Sequence, residues 1–466
     1  MNRTVEKGKT LLVDGPASVT LRSGKVEVFG SIPPAASKVV IREGKRLPFV
    51  VHEKSVLDIS VGENATVEEV EGDTIPYSWR ESAEELSNLE IKPTTVLVLG
   101  TVDSGKSSFC TYLINRVISE KRKVVVLDGD LGQSDIGPPS TVAYTTVSRP
   151  ITDLFYQQAK NACFLGETSP SNVTDEMIRI LPLLKKEIIA REPELLVINT
   201  DGWTEGQCAE DYKVKLVEEL NPDLIFFVQQ KDELTPIFNR LEKFRKIPVE
   251  SPSAIRQRDR DKRKSLRELG YKKYLRNPKI QSLSLSWVKI EGDEAFGLSK
   301  SRTLTRQAKK VTELLGMKPL HVAELTDRVN VIIGRKRWIN PENLKKVQEH
   351  SKKRIVVTRK GEEEGLLVGL YNASRKFLGI GVIQEIDYTR KAMKVLTPVL
   401  EEVAILVLGK VRLDKNMKEI PPEENNVDFS SFKKLFLADF LMDTDRSMGM
   451  CHNVGTLLCS IFCHEK

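Results

Sequence analysis

Gly100-Thr101-Val102-Asp103-Ser104-Gly105-Lys106-Ser107 decides how this chain folds. The apolar run 96–99 stands directly before it, and Phe109, Leu113 and Val117 recur four apart directly after it. A buried strand, a glycine-rich turn and an amphipathic helix in that order form a phosphate-binding loop. Glycines let backbone amides turn inward around phosphate oxygens, and the helix start adds the positive end of its dipole. Lys106 then reaches the terminal phosphates, and Ser107 offers a hydroxyl to Mg²⁺. Residues 100–108, ending in Ser108, are assigned to nucleotide binding on this basis.

Outward from the loop, apolar runs alternate with helical patterns, as in a parallel sheet covered by helices. The candidate strands are 96–99, 124–127, 163–165, 195–198, 224–228 and one near 283–290. Upstream, short β-prone runs at 10–13, 26–29, 39–41, 49–51 and 56–59 are separated by turn formers such as Gly15-Pro16 and Pro33-Pro34. Strand-like runs return at 329–333, 354–357, 366–368 and 404–408. The expected class is α/β: a central P-loop domain with a mostly parallel sheet, flanked by small N-terminal and C-terminal β domains. The expected divisions are 1–90, 91–326 and 327–420, followed by an atypical tail at 421–466 holding three of the six Cys and three of the eight Met.

Composition narrows the function. With 466 residues, 40% hydrophobic and 29% charged, the chain is neither low-complexity nor collagen-like. No apolar stretch approaches the ~20 residues that cross a bilayer, and the start lacks a signal-peptide core. The expectation is an intracellular protein without membrane partners, cytoplasmic or, in a eukaryote, nuclear, with reduced thiols. Net charge is +7, yet residues 251–280 alone hold eleven basic and three acidic side chains, a net +8, leaving −1 for the remainder. A focused cationic segment suits a polyanionic ligand; a solvated basic helix is the bland alternative.

Three further stretches look chemical. Asp128-Gly129-Asp130-Leu131-Gly132-Gln133 follows a strand, placing carboxylates at the sheet edge where open α/β folds bind ligands. One acid there suits metal-bound water and one a hydroxyl proton, although Asp128 could simply cap the turn. Gly166-Glu167-Thr168-Ser169-Pro170 and Asn199-Thr200-Asp201-Gly202-Trp203 also follow strands. Trp203 either stacks on a nucleobase or packs against a neighbouring helix. On one helix, Arg256, Arg260, Arg263 and Arg267 would share a face, as a closing lid or as an RNA-facing surface. In the tail, Cys451, His452, Cys459, Cys463 and His464 lack the spacing of a familiar zinc module.

Taken together and in this order, these motifs resemble those of the polynucleotide 5′-hydroxyl kinases, the family of the pre-mRNA cleavage-complex kinase subunit, in a compact archaeal-type form. The resemblance spans roughly residues 1–415. It implies transfer of the ATP γ-phosphate to a 5′-hydroxyl end of RNA, and often of DNA, with Mg²⁺ or another divalent cation. It implies Lys106 and Ser107 as P-loop lysine and metal ligand, Asp130 as the acid that activates the hydroxyl, and Asp128 as metal ligand through water. Gln133, Thr168, Ser169 and Trp203 are implied in substrate binding, the two hydroxyl residues as a phosphate clasp. Arg258 and Arg263 best match paired lid arginines, with Arg256 and Arg260 as alternatives in register. The family's N-terminal domain helps to recognise the base. A non-catalytic ATP-bound scaffold of an RNA-processing complex is the rival. Gln229-Gln230-Lys231-Asp232 departs from the guanine reader of GTPases.

Overall fold

Alternating apolar and polar residues in the first 71 positions build a six-stranded antiparallel sheet. The computed structural model describes residues 1–119, 123–292, 306–325, 327–351 and 353–421; the Cys and His cluster of the tail lies outside them. The runs 49–51 and 56–59 belong to a single strand, Arg46–Val61. Polar His52-Glu53-Lys54 sits mid-strand without ending it, because Ala17–Glu27 pairs along it through several register shifts and absorbs the bend. Asn2–Val5 and Val67–Glu71 are additional strands of this sheet.

Helix Tyr77–Ser87 joins this sheet to the next domain. Its buried Trp79 packs edge-on against Phe109 and Tyr112, with ring centroids 5.2 and 5.6 Å away, and donates its indole N–H to the Glu250 carbonyl at 2.9 Å. Truncating such a side chain costs about 3–5 kcal/mol.

The central sheet has seven strands in the order Asn161–Phe164, Thr141–Val147, Val124–Gly129, Leu195–Thr200, Thr94–Gly100, Leu224–Gln229, Lys246–Glu250. The last five run parallel, which puts the carboxyl ends of Thr94–Gly100, Val124–Gly129 and Leu195–Thr200 at one edge. The first two strands pair antiparallel. The strand expected at 163–165 is thus an antiparallel edge strand, and its partner Thr141–Val147, buried except at Thr146, is a strand beyond those expected. Residues 148–160 connect the two with a single three-residue turn of 3₁₀ helix in place of the α-helix that usually makes a parallel crossover.

The strand expected near 283–290 is two strands, Lys279–Ser284 and Lys289–Glu291, that belong to the C-terminal sheet. Their partly exposed pattern is that of edge strands rather than of a buried parallel one. That sheet also contains Leu366–Tyr371, Phe377–Asp387, Ala392–Thr397 and Ile405–Leu413. It docks on the central domain where Phe164 N donates to the Tyr371 hydroxyl at 2.7 Å and Lys410 N to the Gly166 carbonyl at 2.9 Å. Gly166 and Gly409 meet so closely that a Cβ on Gly166 would lie 2.5 Å from the Gly409 Cα. A separate three-stranded sheet, His321–Glu324, Arg328–Ile333 and Arg354–Arg359, is accompanied by helices Arg306–Leu315 and Pro341–His350. Among the described residues no helix is long and apolar enough to cross a membrane.

Candidate active site

At the carboxyl end of Thr94–Gly100 the chain must turn at once, and only glycine fits the turn. A Cβ on Gly100 would meet Ser104 Oγ at 2.5 Å and the Val228 carbonyl at 2.7 Å, and Gly105 has φ +96°. Helix Lys106–Ser119 begins immediately afterwards. Lys106 Nζ is curled back onto the Thr101 carbonyl at 2.6 Å. Burial pulls its pKa down to about 8, against the opposing charges of Asp130 and Asp201.

Beside the loop, Asn199 links two groups. Its Nδ2 donates to Asp128 Oδ1 at 3.1 Å and faces Ser107 Oγ at 3.4 Å. Asp128 is fully buried, and its other oxygen accepts from Asp135 N at 2.7 Å. It therefore caps the following turn and also faces the P-loop hydroxyl through Asn199. Burial, with Asp135 and Asp130 nearby, pushes its pKa up to about 7. Asp130 stands half-buried on the cleft wall, its Oδ1 accepting from Gly132 N and Gln133 N, both at 3.0 Å. Burial raises its pKa, and Lys106 opposes the rise.

The segment before the basic helix lies across the P-loop. Ser251 Oγ donates to the Ser104 carbonyl at 2.7 Å, and a Cβ on Gly105 would touch Pro252 and Ile255 at 3.2 Å. The helix itself spans Arg260–Tyr274, capped by the Asp259 side chain on Lys262 N at 2.6 Å. Arg256 and Arg258 precede that cap, so Arg256 does not share the expected helical face with Arg260, Arg263 and Arg267. Arg256 pairs with Asp14 at 3.1 Å, and Arg267 with Glu419 at 2.6 Å. Arg258 and Arg263 converge on the P-loop residue Asp103, at 2.6 and 3.5 Å. Gln133 Nε2 donates to the Arg263 carbonyl at 3.1 Å, tying the turn after Asp130 to the lid.

On the far wall, Thr168 and Ser169 line the same cleft, and the Ser169 and Ser171 hydroxyls are 2.8 Å apart. Trp203 lines it too, half-buried and stacked on Tyr212 with ring centroids 5.8 Å apart and planes 26° apart. It both packs on a helix and borders the cleft. Asp201 holds this arrangement: its Oδ1 accepts from Trp203 N at 3.0 Å and pairs with buried Lys213 at 2.8 Å, and its Oδ2 accepts from the Tyr212 hydroxyl at 3.0 Å. The cleft, about 980 Å³, is closed on its remaining side by Asp14, Gly15 and Arg42 to Arg46 of the N-terminal sheet. Gly100 and Asp128 sit behind its lining.

Residues 100–277 match the family model described as mRNA cleavage and polyadenylation factor CLP1 P-loop. The chain is 30% identical to a polyribonucleotide 5′-hydroxyl kinase of Pyrococcus furiosus over 71% of its own length and 90% of that protein. It belongs to the polyribonucleotide 5′-hydroxyl kinase family. A family member from Methanocaldococcus jannaschii is 27% identical over 71% of this chain and 90% of that one. The fold of this chain is similar to that of Clp1p, solved in complex with a segment of Pcf11p: the TM-score is 0.62 at 14% identity, covering 88% of this chain and 97% of that one.

Sequence reasoning assigned no role to Asn199, Asp201, Tyr212, Lys213 or to the Asp103 contact. Lys213 did leave a signal. Ala209, Tyr212, Leu216, Val217 and Leu220 form the apolar face of helix Gln207–Leu220, and Lys213 stands in the middle of it. A lysine on a buried face requires a buried acid. Asp103 left none, because the motif admits any residue there.

Proposed function

We propose that this chain, a 5′-hydroxyl kinase, transfers the γ-phosphate of ATP to the 5′-hydroxyl end of RNA. What supports it most is one convergence: the P-loop, Asp130, the paired arginines and the Trp203 loop share a single cleft in a member of this family. In the reaction the 5′-oxygen forms a bond to the γ-phosphorus, the bond to the β,γ-bridging oxygen breaks, and ADP leaves. The hydroxyl proton passes to Asp130, whose raised pKa makes it a better acceptor than an exposed carboxylate. Lys106 exchanges the Thr101 carbonyl for phosphate oxygens, whose charge restores what burial takes from its basicity. Arg258 and Arg263 offset charge on the transferring group. Thr168 and Ser169 hold the phosphate of the terminal nucleotide, and Trp203, backed by Tyr212, stacks on its base.

The residues present fit Mg²⁺ of the nucleotide-bound kind. Among the described residues no three His, Cys, Asp or Glu form a cage, whereas the Ser107 hydroxyl and the Asp128 carboxylate share Asn199 beside the P-loop. Such a pair suits an ion that takes most of its ligands from phosphate and water. When bound, the ion would neutralise charge on the β- and γ-phosphates.

The test is end-labelling with γ-labelled ATP of matched 5′-hydroxyl RNA and DNA. Labelled RNA is expected, with DNA as a second acceptor, and chelation of divalent cations should stop transfer. Absence of label on every RNA would overturn the proposal.

A further inference from the structure

The near-neutrality of the chain outside residues 251–280 holds only in sum. Residues 306–360 carry fifteen Lys and Arg against five Asp and Glu, a net +10 that exceeds the +7 of the whole chain. The described residues among them include the three-stranded sheet and its two helices, around a core of its own that includes Val311, Leu315, Val331 and Val347. We infer that this module is a second RNA-binding surface, centred on Trp338, which holds single-stranded RNA beyond the end being phosphorylated. The inference rests on RNA being the substrate.

Arg335-Lys336-Arg337-Trp338 is an exposed loop at the carboxyl end of strand Arg328–Ile333, and Trp338 is 71% exposed. An indole is normally at least half covered, because packing it buries about 150–250 Å². Leaving it bare directly after three cations forgoes that burial. Strand Arg354–Arg359 runs parallel alongside, with Arg359 opposite Ile333, and Lys360 N donates to the Ile333 carbonyl at 2.8 Å. Arg359 and Lys360 thus emerge at the same edge as the loop, where parallel sheets present their ligand sites.

The acids around this edge leave part of its charge uncompensated, that of Lys336 and Arg337 above all. Glu364 lies 3.9 Å from Arg335, Glu385 lies 3.4 Å from Lys360, and the Glu362 carboxylate accepts from Arg359 N at 3.1 Å. Glu363 is buried, where desolvation raises its pKa. Among the described residues, Lys336 and Arg337 have no carboxylate within ion-pair distance. Cations that track a phosphate backbone, beside an aromatic face that accepts any base, are the two elements of sequence-tolerant single-strand binding.

The test uses the full chain with Trp338→Ala and, separately, with Arg335, Lys336 and Arg337 all changed to Gln. For a 5′-hydroxyl RNA of about 20 nucleotides, KM should rise about tenfold in either variant, within the range of one lost stacking contact. KM for a 5′-hydroxyl dinucleotide, and kcat for both acceptors, should stay at wild-type values. The triple variant should also flatten the salt dependence of binding by up to about 2 in log–log slope. Fluorescence anisotropy with a 5′-phosphorylated RNA, which is no acceptor, reads the surface whether or not transfer occurs. Lack of transfer in the wild type would therefore refute the kinase proposal alone. Unchanged long-RNA affinity and salt slope in both variants would overturn this inference and leave an acidic protein as the partner of the surface.

Discussion

Arg258 grips Asp103 along the edge of its guanidinium group, Nε donating to Oδ1 at 2.7 Å and Nη2 lying 2.6 Å from the same oxygen, while its backbone N donates to Oδ2 at 2.9 Å. A residue inside the phosphate-binding loop thereby fixes the segment that carries the lid arginines. Asp103 adopts φ +57°, a left-handed conformation that Asp tolerates better than most residues, and its side chain is almost wholly buried against the two arginines.

Asp103→Asn should therefore loosen the lid rather than the nucleotide cradle. We expect kcat to fall about tenfold, the loss of about 1.4 kcal/mol of positioning, with KM for ATP changed less than threefold. A double-mutant cycle of Asp103→Asn with Arg258→Ala, read by thermal unfolding, should give a coupling of about 1–2 kcal/mol. Additive effects would mean that the contact does not position the lid.

The Trp203 platform depends on a buried ion pair. Removing one partner of such a pair leaves an uncompensated charge and destabilises by about 3–5 kcal/mol. Lys213→Met strands Asp201 in this way, and the drop in unfolding free energy by denaturant titration should fall in that range. Tyr212→Phe removes one hydrogen bond to Asp201 but keeps the ring under Trp203. It should raise KM for RNA two- to fivefold at constant kcat. Equal effects on KM for ATP and for RNA would count against a base-stacking role for the loop.

How far these features could be read from sequence follows from their physics. The P-loop, the buried strands beside it and the turn after Asp128 are local patterns, in which spacing along the chain is spacing in space. The helix carrying Arg263 begins at Arg260, about one turn after Arg256, because Asp259 caps it. The antiparallel edge Asn161–Phe164 depends on pairing with Thr141–Val147, a strand absent from the expected set, and pairing between strands is not a local pattern. Asp103 meets Arg258 from 155 positions away, and no local pattern encodes such a contact.

Lys106 is expected to separate stability from activity. Its folded pKa of about 8 lies below the ordinary 10.5. The sign follows: burying the charged form is unfavourable below about pH 8, and that penalty disappears only as pH rises towards the unfolded value. Lys106→Met should abolish labelling and yet raise stability at pH 7, by up to about 3 kcal/mol, with the gain fading as pH rises from about 8 to 10.5. A destabilised variant at pH 7 would mean that the hydrogen bond to Thr101 outweighs the burial of the ammonium group.

Asp128 offers the mirror case within the same site. Its folded pKa of about 7 lies above the ordinary 3.8, so its contribution to stability is full below about pH 4 and is lost as pH rises through 7. Over that window the loss is on the order of 4 kcal/mol. Asp128→Asn keeps an oxygen for the Asp135 N–H and carries no charge. Unfolding of wild type and variant, followed in parallel from pH 4 to pH 8, should show the variant gaining relative to the wild type as pH rises. With nucleotide and Mg²⁺ added, the order should invert at pH 8, since a neutral amide gives up the charge that the ion would share with Ser107. Parallel curves at every pH would show that the Asp128 carboxyl titrates like an exposed one, and an order left unchanged by nucleotide and Mg²⁺ at pH 8 would remove it from the metal site.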